Sequence, residues 1–395
     1  MSSKNSSIPA RPLPPDQVRV ERVRAFDLHE PLRLESGAEL GDVHVQLETY
    51  GRLDPSGANA ILVCHALTGD AHAATHGQEG TTGARAGRNG VREGWWAGLI
   101  GPGRPLDPDR HFIVCTNILG SCFGSTGPAS LDPETGRPYG KDFPRVTVRD
   151  MVRVQHRVLE ILGVKRLALV LGGSLGGMQA LEWAVTYPDW VRALAPIATA
   201  SQHSPWAIAL NALSRLSIMS DPEWNDGSYR VQPARGLSLA RMVAMVSYRH
   251  YEDFRHRFGR EQVEPGRRKR FDNPFEMPDG SFQVEQYLQY QGSKLVARFD
   301  ANSYLCLSRA MDEHDLARGR GSLPDVLASI RAPTLCVGID TDLLYPVEEQ
   351  QEICRHIPPA VYREIRSSKG HDGFLVELEQ LGEILDDFFE SADVD

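Results

Sequence analysis

GGSLGGMQALEW, residues 172–183, decides how the rest of this chain is read. It continues the apolar run RLALVL (166–171) and leads into a helical pattern that Pro188 halts. Gly172, Ser174 and Gly176 fit G-x-S-x-G where that motif belongs, between a buried strand and a helix. Such a turn is so sharp that flanking side chains collide with the neighbouring strand or helix. Glycine is therefore required, and the serine is lifted to where a base can reach it. The helix N-terminus behind it favours developing negative charge. The plain alternative is a serine in a glycine-rich turn. A dinucleotide fingerprint fails, because G-x-G-x-x-G needs glycine at position 174, and no P-loop lysine follows.

Outward from this stretch, VHVQLETYG (43–51) alternates like a half-exposed strand. NAILVCHALTG (59–69), HFIVCTNILG (111–120) and VRALAPIATA (191–200) contain near-continuous apolar strands, and MVRVQHRVLEILGV (151–164) has helical spacing. Strands alternating with helices in this way predict an α/β fold, with a mostly parallel central sheet and helices on both faces. From residue 201 the rhythm changes, and no strand-like run returns until APTLCVGID (332–340). GLSLARMVAMVSYR and VEQYLQYQGSKLVARF, lying between, are helical patterns. The predicted organisation is a disordered arm over 1–20, a core from 21–200 and 325–395, and a helical insertion over 201–324. The glycine-rich segment 76–107 is too long for a plain connection and is expected to wall a pocket. Its insert around 77–94 suggests no function of its own.

With 395 residues, 41% of them hydrophobic and 24% charged, the chain can bury one large core and an accessory lobe. A net charge of -9 argues against nucleic acid as a partner, which needs a basic face. No apolar run approaches a membrane span, and the polar, proline-rich N-terminus has no signal-peptide core. The six cysteines show no CxxC or metal spacing and read as buried free thiols of a cytoplasmic protein.

A nucleophile elbow requires an acid and then a base further along the chain. Asp342 follows the strand CVGID, and Asp340 competes with it from within the strand; Asp342 is preferred because it falls beyond the strand's end. His371, in SSKGHDGF after the last strand, is the candidate base. The oxyanion hole needs the amide after the nucleophile, that of Leu175, and one from an early loop; HALTGD (65–70) offers the Leu67 amide. His72 and His76 have the four-residue spacing of zinc ligands, but the H-E-x-x-H glutamate is missing, so no metal is expected.

HALTGDAH, GWWAGLIGPGRPLD, NILGSCFGSTGP, GGSLGGMQALEW, GLSLARM, VARFDANSY, TDLLYP and GHDGFLVE, in this order and spacing, resemble the homoserine O-acyltransferases of the α/β-hydrolase superfamily, most closely the acetyltransferases. The resemblance runs from about residue 25 to the C-terminus. It implies an α/β-hydrolase fold with the helical insertion as a lid, and a homodimer joined through that lid. By position it also makes Ser174 the nucleophile, Asp342 the acid and His371 the base. Arg241 and Asp372 become the substrate-binding residues, with Tyr248 lining the same pocket. A guanidinium suits the carboxylate, and a carboxylate the ammonium, of an amino-acid acceptor. The implied reaction is ping-pong transfer from acetyl-CoA to L-homoserine, giving O-acetyl-L-homoserine for methionine biosynthesis. The alternatives are a succinyl donor, a serine acceptor, or an esterase on the same fold. GRRKR (266–270) is weighed as a contact for CoA phosphates and read instead as a solvated charge run.

Overall fold

The computed structural model describes residues 12–77, 93–264, 274–275 and 278–392. In chain order the elements are β1 (Val18–Phe26), β2 (Leu32–Arg33), β3 (Glu39–Leu40), β4 (Val43–Tyr50), β5 (Ala60–Cys64), β6 (Phe112–Thr116), α1 (Val148–Ile161), β7 (Leu167–Gly173), α2 (Leu175–Thr186) and β8 (Leu194–Ile197). Helices α3 (Pro205–Met219), α4 (Ala234–Tyr248), α5 (Tyr251–Phe258), α6 (Gln283–Val296), α7 (Ala301–Asp312) and α8 (Leu323–Ala328) come next. The chain then returns to the sheet through β9 (Thr334–Ile339), α9 (Val347–His356), β10 (Ala360–Ile365), α10 (Gly373–Val376) and α11 (Leu378–Ala392).

One sheet of eight strands, in the order β1-β4-β6-β5-β7-β8-β9-β10, organises the molecule, and β2 and β3 form a separate hairpin. Strands β6 through β10 pair in parallel; β4 runs antiparallel to both β6 and β1. β5, β7, β8 and β9 are buried throughout, as expected of strands covered on both faces. One apolar cluster lies on each side of the sheet: α1 and α2 pack with Leu62, Val114 and Val170, while α11 packs with Ile61, Leu169 and Leu171.

Two readings of the sequence need correction. The arm expected over 1–20 is built into the fold from Leu13, whose amide bonds the Thr75 carbonyl and whose side chain is buried. Val18 already opens β1. VHVQLETY is not half-exposed: β4 is flanked by β1 and β6, and Gln46, Glu48 and Thr49 are buried. The carboxylate of Glu48 accepts from the Tyr50 hydroxyl at 2.8 Å and pairs with two histidines. GRRKR (266–270) and most of the glycine-rich insert, 78–92, lie outside the described residues.

Candidate active site

The parallel strands end on one side of the sheet, where ligands of open α/β sheets bind. Ser174 stands there, between β7 and α2, with φ 58° and ψ -124°. A non-glycine residue is rarely held so, and the surroundings hold it: its amide donates to the Ile197 carbonyl at 3.0 Å, and its carbonyl accepts from Thr199 Oγ1 at 2.7 Å. The flanking glycines are sterically required. A Cβ on Gly172 would lie 2.5 Å, and one on Gly176 2.1 Å, from the Cys64 carbonyl oxygen of β5. A Cβ on Gly173 would meet the Phe374 ring at 2.4 Å, and one on Gly177 would meet Thr199 at 2.6 Å.

His371 lies in the turn before α10 and is buried. Its Nδ1 donates to Asp342 Oδ2 at 2.7 Å, while Asp342 Oδ1 accepts the amides of Leu344 at 2.8 Å and Tyr345 at 3.0 Å. Burial alone would lower the His371 pKa, but the charge and hydrogen bond of Asp342 outweigh it and raise it. Asp340, the competing acid, faces elsewhere and accepts the Ser367 amide at 2.9 Å. The ring centres of Tyr345 and Tyr248 lie 5.3 Å and 5.5 Å from that of His371.

Leu67 and Leu175 are both buried, and neither amide has a hydrogen-bond acceptor among the described residues. Leu175 opens α2, where a backbone N–H has no intrahelical partner. The loop bearing Leu67 is pinned from several sides. His65 bonds the Ala66 carbonyl through Nδ1 at 2.8 Å and accepts the Ile118 amide on Nε2 at 3.2 Å, which sets a neutral tautomer; burial lowers its pKa accordingly. Gln179 of α2 donates to the His65 carbonyl at 3.3 Å, and Arg298 donates to Thr68 O at 2.6 Å and Thr68 Oγ1 at 3.1 Å.

A cavity of about 370 Å³ brings these parts together, lined by Leu67, Thr68, Ser174 and His371 with Arg241, Tyr248 and Asp372. Arg241 stacks on the Tyr248 ring at 5.5 Å and makes no ion pair with a carboxylate among the described residues. Asp372 is different: Arg249 holds its Oδ2 at 3.0 Å. Arg249 also reaches Asp253 at 3.6 Å, and Asp253 pairs with Lys369 at 2.6 Å. The end of α4 and α5 are thus tied to both sides of the His371 turn. Glu93 and Trp95 line the mouth, so the described end of the glycine-rich segment does wall this pocket. Sequence reading missed Arg249, Lys294, Arg298 and Trp95. Only the neighbourhood of Arg249 to Tyr248 offered a signal.

Among the described residues, one group places its donor atoms as metal ligands would: Glu48, His72 and His76, within 4.8 Å of one another and all buried. Glu48 Oε2 already pairs with His72 Nδ1 at 3.0 Å, His76 Nε2 at 2.8 Å and the Tyr50 hydroxyl at 2.8 Å. Burial pushes the Glu48 pKa up, yet the two imidazoles outweigh it and hold it at about 2. The cluster therefore works as a hydrogen-bonded pin under the loop that carries Leu67.

The fold and the serine elbow define the class, and comparison agrees: the family model for the alpha/beta hydrolase fold matches residues 59–378. A homoserine O-acetyltransferase of Moorella thermoacetica is 48% identical over 382 residues, 94% of this chain and 97% of that one. Among solved structures, a homoserine O-acetyltransferase from Bacillus anthracis superposes with a TM-score of 0.83 at 28% identity, covering 94% of this chain and 97% of that one. Esterase E22 superposes with a TM-score of 0.80 at 29% identity, covering 94% of this chain and 99% of that one. The chain belongs to the homoserine O-acetyltransferase family of α/β-hydrolase-fold proteins, and so to the acyltransferases.

Proposed function

We propose that this enzyme transfers an acetyl group from acetyl-CoA to the hydroxyl of L-homoserine through an acetyl-serine intermediate, in methionine biosynthesis. The observation that carries this reading is a single cavity lined by Ser174, His371, Arg241 and Asp372. Asp342 engages Nδ1 of His371 and leaves Nε2 as the base for the Ser174 hydroxyl. The serine oxygen attacks the thioester carbonyl, the amides of Leu67 and Leu175 stabilise the tetrahedral oxyanion, and CoA leaves as its thiol with the proton from His371. Homoserine then enters with its carboxylate on Arg241 and its ammonium on Asp372. His371 takes the proton of its hydroxyl as that oxygen attacks the acetyl carbonyl, and Ser174 is released. Tyr248, stacked between Arg241 and His371, shapes the acceptor side. No step needs a metal.

The helices between β8 and β9 form a lid over the cavity, which restricts water and favours transfer. We assign the enzyme to the cytoplasm; no helix among the described residues is long and apolar enough to cross a membrane, and all six cysteines are free.

Thiol release measured with acetyl-CoA or succinyl-CoA, each with homoserine, serine or no acceptor, tests the reading. Release that requires both acetyl-CoA and homoserine supports it. The likeness to esterase E22 favours hydrolysis as the second reading. Release at the same rate without acceptor would select it, and faster release from succinyl-CoA would change the donor.

A further inference from the structure

The cavity has a wall whose chemistry the acceptor does not use. Lys294 of α6 and Arg298, in the turn that ends α6, both line it, with Asp70 and Glu93 on other parts of the rim. Lys294 makes no ion pair among the described residues, and its ammonium lies 5.5 Å from the ring centre of Tyr290, which is 39% exposed. Arg298, in the turn just past α6, bonds Thr68 beside the loop that carries Leu67, and Lys294 stands four residues earlier, in the last turn of the helix.

A thioester donor of the coenzyme A type carries phosphates and a nucleotide base far from its reacting carbonyl. A cavity of about 370 Å³ accommodates the acceptor and the acyl-bearing tip, so the phosphates must lie on the rim. The chain's net charge of -9 repels such a donor at a distance, and a local cation is needed where it lands. An ammonium on a flexible stem suits a phosphate as a point charge.

We propose that Lys294, beside Arg298 on the rim of the cavity, is the subsite for the phosphate-bearing end of the acyl donor. The inference rests on the acyl-donor reading above. It places donor recognition on the α6 side of the cavity.

The experiment compares two donors with homoserine saturating: acetyl-CoA, and S-acetyl-N-acetylcysteamine, which has the thioester without phosphates. Wild type prefers acetyl-CoA, and Lys294→Ala reduces the ratio of the two kcat/KM values by about tenfold, through KM for acetyl-CoA. Lys294→Arg restores most of the ratio, and raising the salt weakens the wild-type preference more than that of Lys294→Ala. Equal losses with both donors would reduce Lys294 to a structural role, and an unchanged ratio would place the phosphates elsewhere; either result overturns the subsite. Absence of thiol release from both donors by wild type would instead refute the acyl-donor reading, and the subsite with it.

Discussion

Asp372 is ion-paired with Arg249 before any acceptor arrives. The pairing fixes one carboxylate oxygen, so in the proposed reaction, where Asp372 takes the acceptor's ammonium, Arg249 is a positioning residue. Arg249→Lys keeps the charge but loses the fork that spans Asp253 and Asp372. The expected outcome is a KM for homoserine raised about tenfold, with KM for acetyl-CoA little changed, measured by steady-state kinetics. His371 sets the pH response. Asp342 raises its pKa above the ordinary 6.5, so the protonated, inactive form persists to higher pH. Donor kcat/KM therefore falls as pH drops through a value above 6.5. In Asp342→Asn the largest raising cause is gone while burial remains, so the acid limb moves to lower pH and the rate falls by about 10⁴-fold, read from a pH–rate profile. At this scale the sequence spoke through motifs. Ser174, Asp342 and His371 could be named because an elbow fixes their order along the chain. Arg249 and Lys294 could not, because a cation on a helix is indistinguishable from a solvated charge until the fold gives it a neighbour.

The elements beneath the site are held by buried polar groups. β4 carries Glu48, and the loop after β5 returns His72 and His76 to it, so the loop that carries Leu67 is tied to the sheet. Glu48 is held at about 2, below its ordinary 4.5. A carboxylate with a depressed pKa stabilises the fold above its unfolded value, and that contribution is lost as pH falls toward the folded one. Thermal melts of the wild type should show Tm falling through that window, from 4.5 toward about 2. Glu48→Gln, already neutral, should show a lower Tm near neutrality and a shallower fall. The same element explains a misreading. Alternation of polar and apolar residues in VHVQLETY implied one wet face, but Gln46, Glu48 and Thr49 are all buried. Periodicity records polarity, and the sequence does not reveal that a partner inside satisfies it. The parallel strands were legible because burial on both faces leaves an unbroken apolar run.

Across the whole molecule, the helices between β8 and β9 expose large apolar side chains that nothing among the described residues covers. On α3, Trp206, Leu213, Leu216 and Met219 are 56%, 54%, 58% and 41% exposed, and on α4 Leu239 and Val246 are 41% and 53% exposed. Exposed apolar side chains grouped on two packed helices mark a protein interface. We infer a homodimer joined through α3 and α4. Sedimentation should give twice the chain mass of 43.8 kDa, and Leu213→Glu with Leu216→Glu should give the monomer. β1, by contrast, was overlooked because charged residues interrupt VRVERVRAF; as an edge strand it needs few apolar positions.

In the proposed reaction Ser174 carries the acetyl group between donor and homoserine. Intact-protein mass spectrometry after mixing with acetyl-CoA alone, followed by peptide mapping and a chase with homoserine, reads this directly. The expected result is one acetyl group on Ser174, absent in Ser174→Ala, and its discharge as O-acetylhomoserine far faster than by water. Thiol release with no acetyl on Ser174, or an acetyl-enzyme that homoserine does not discharge, would contradict it.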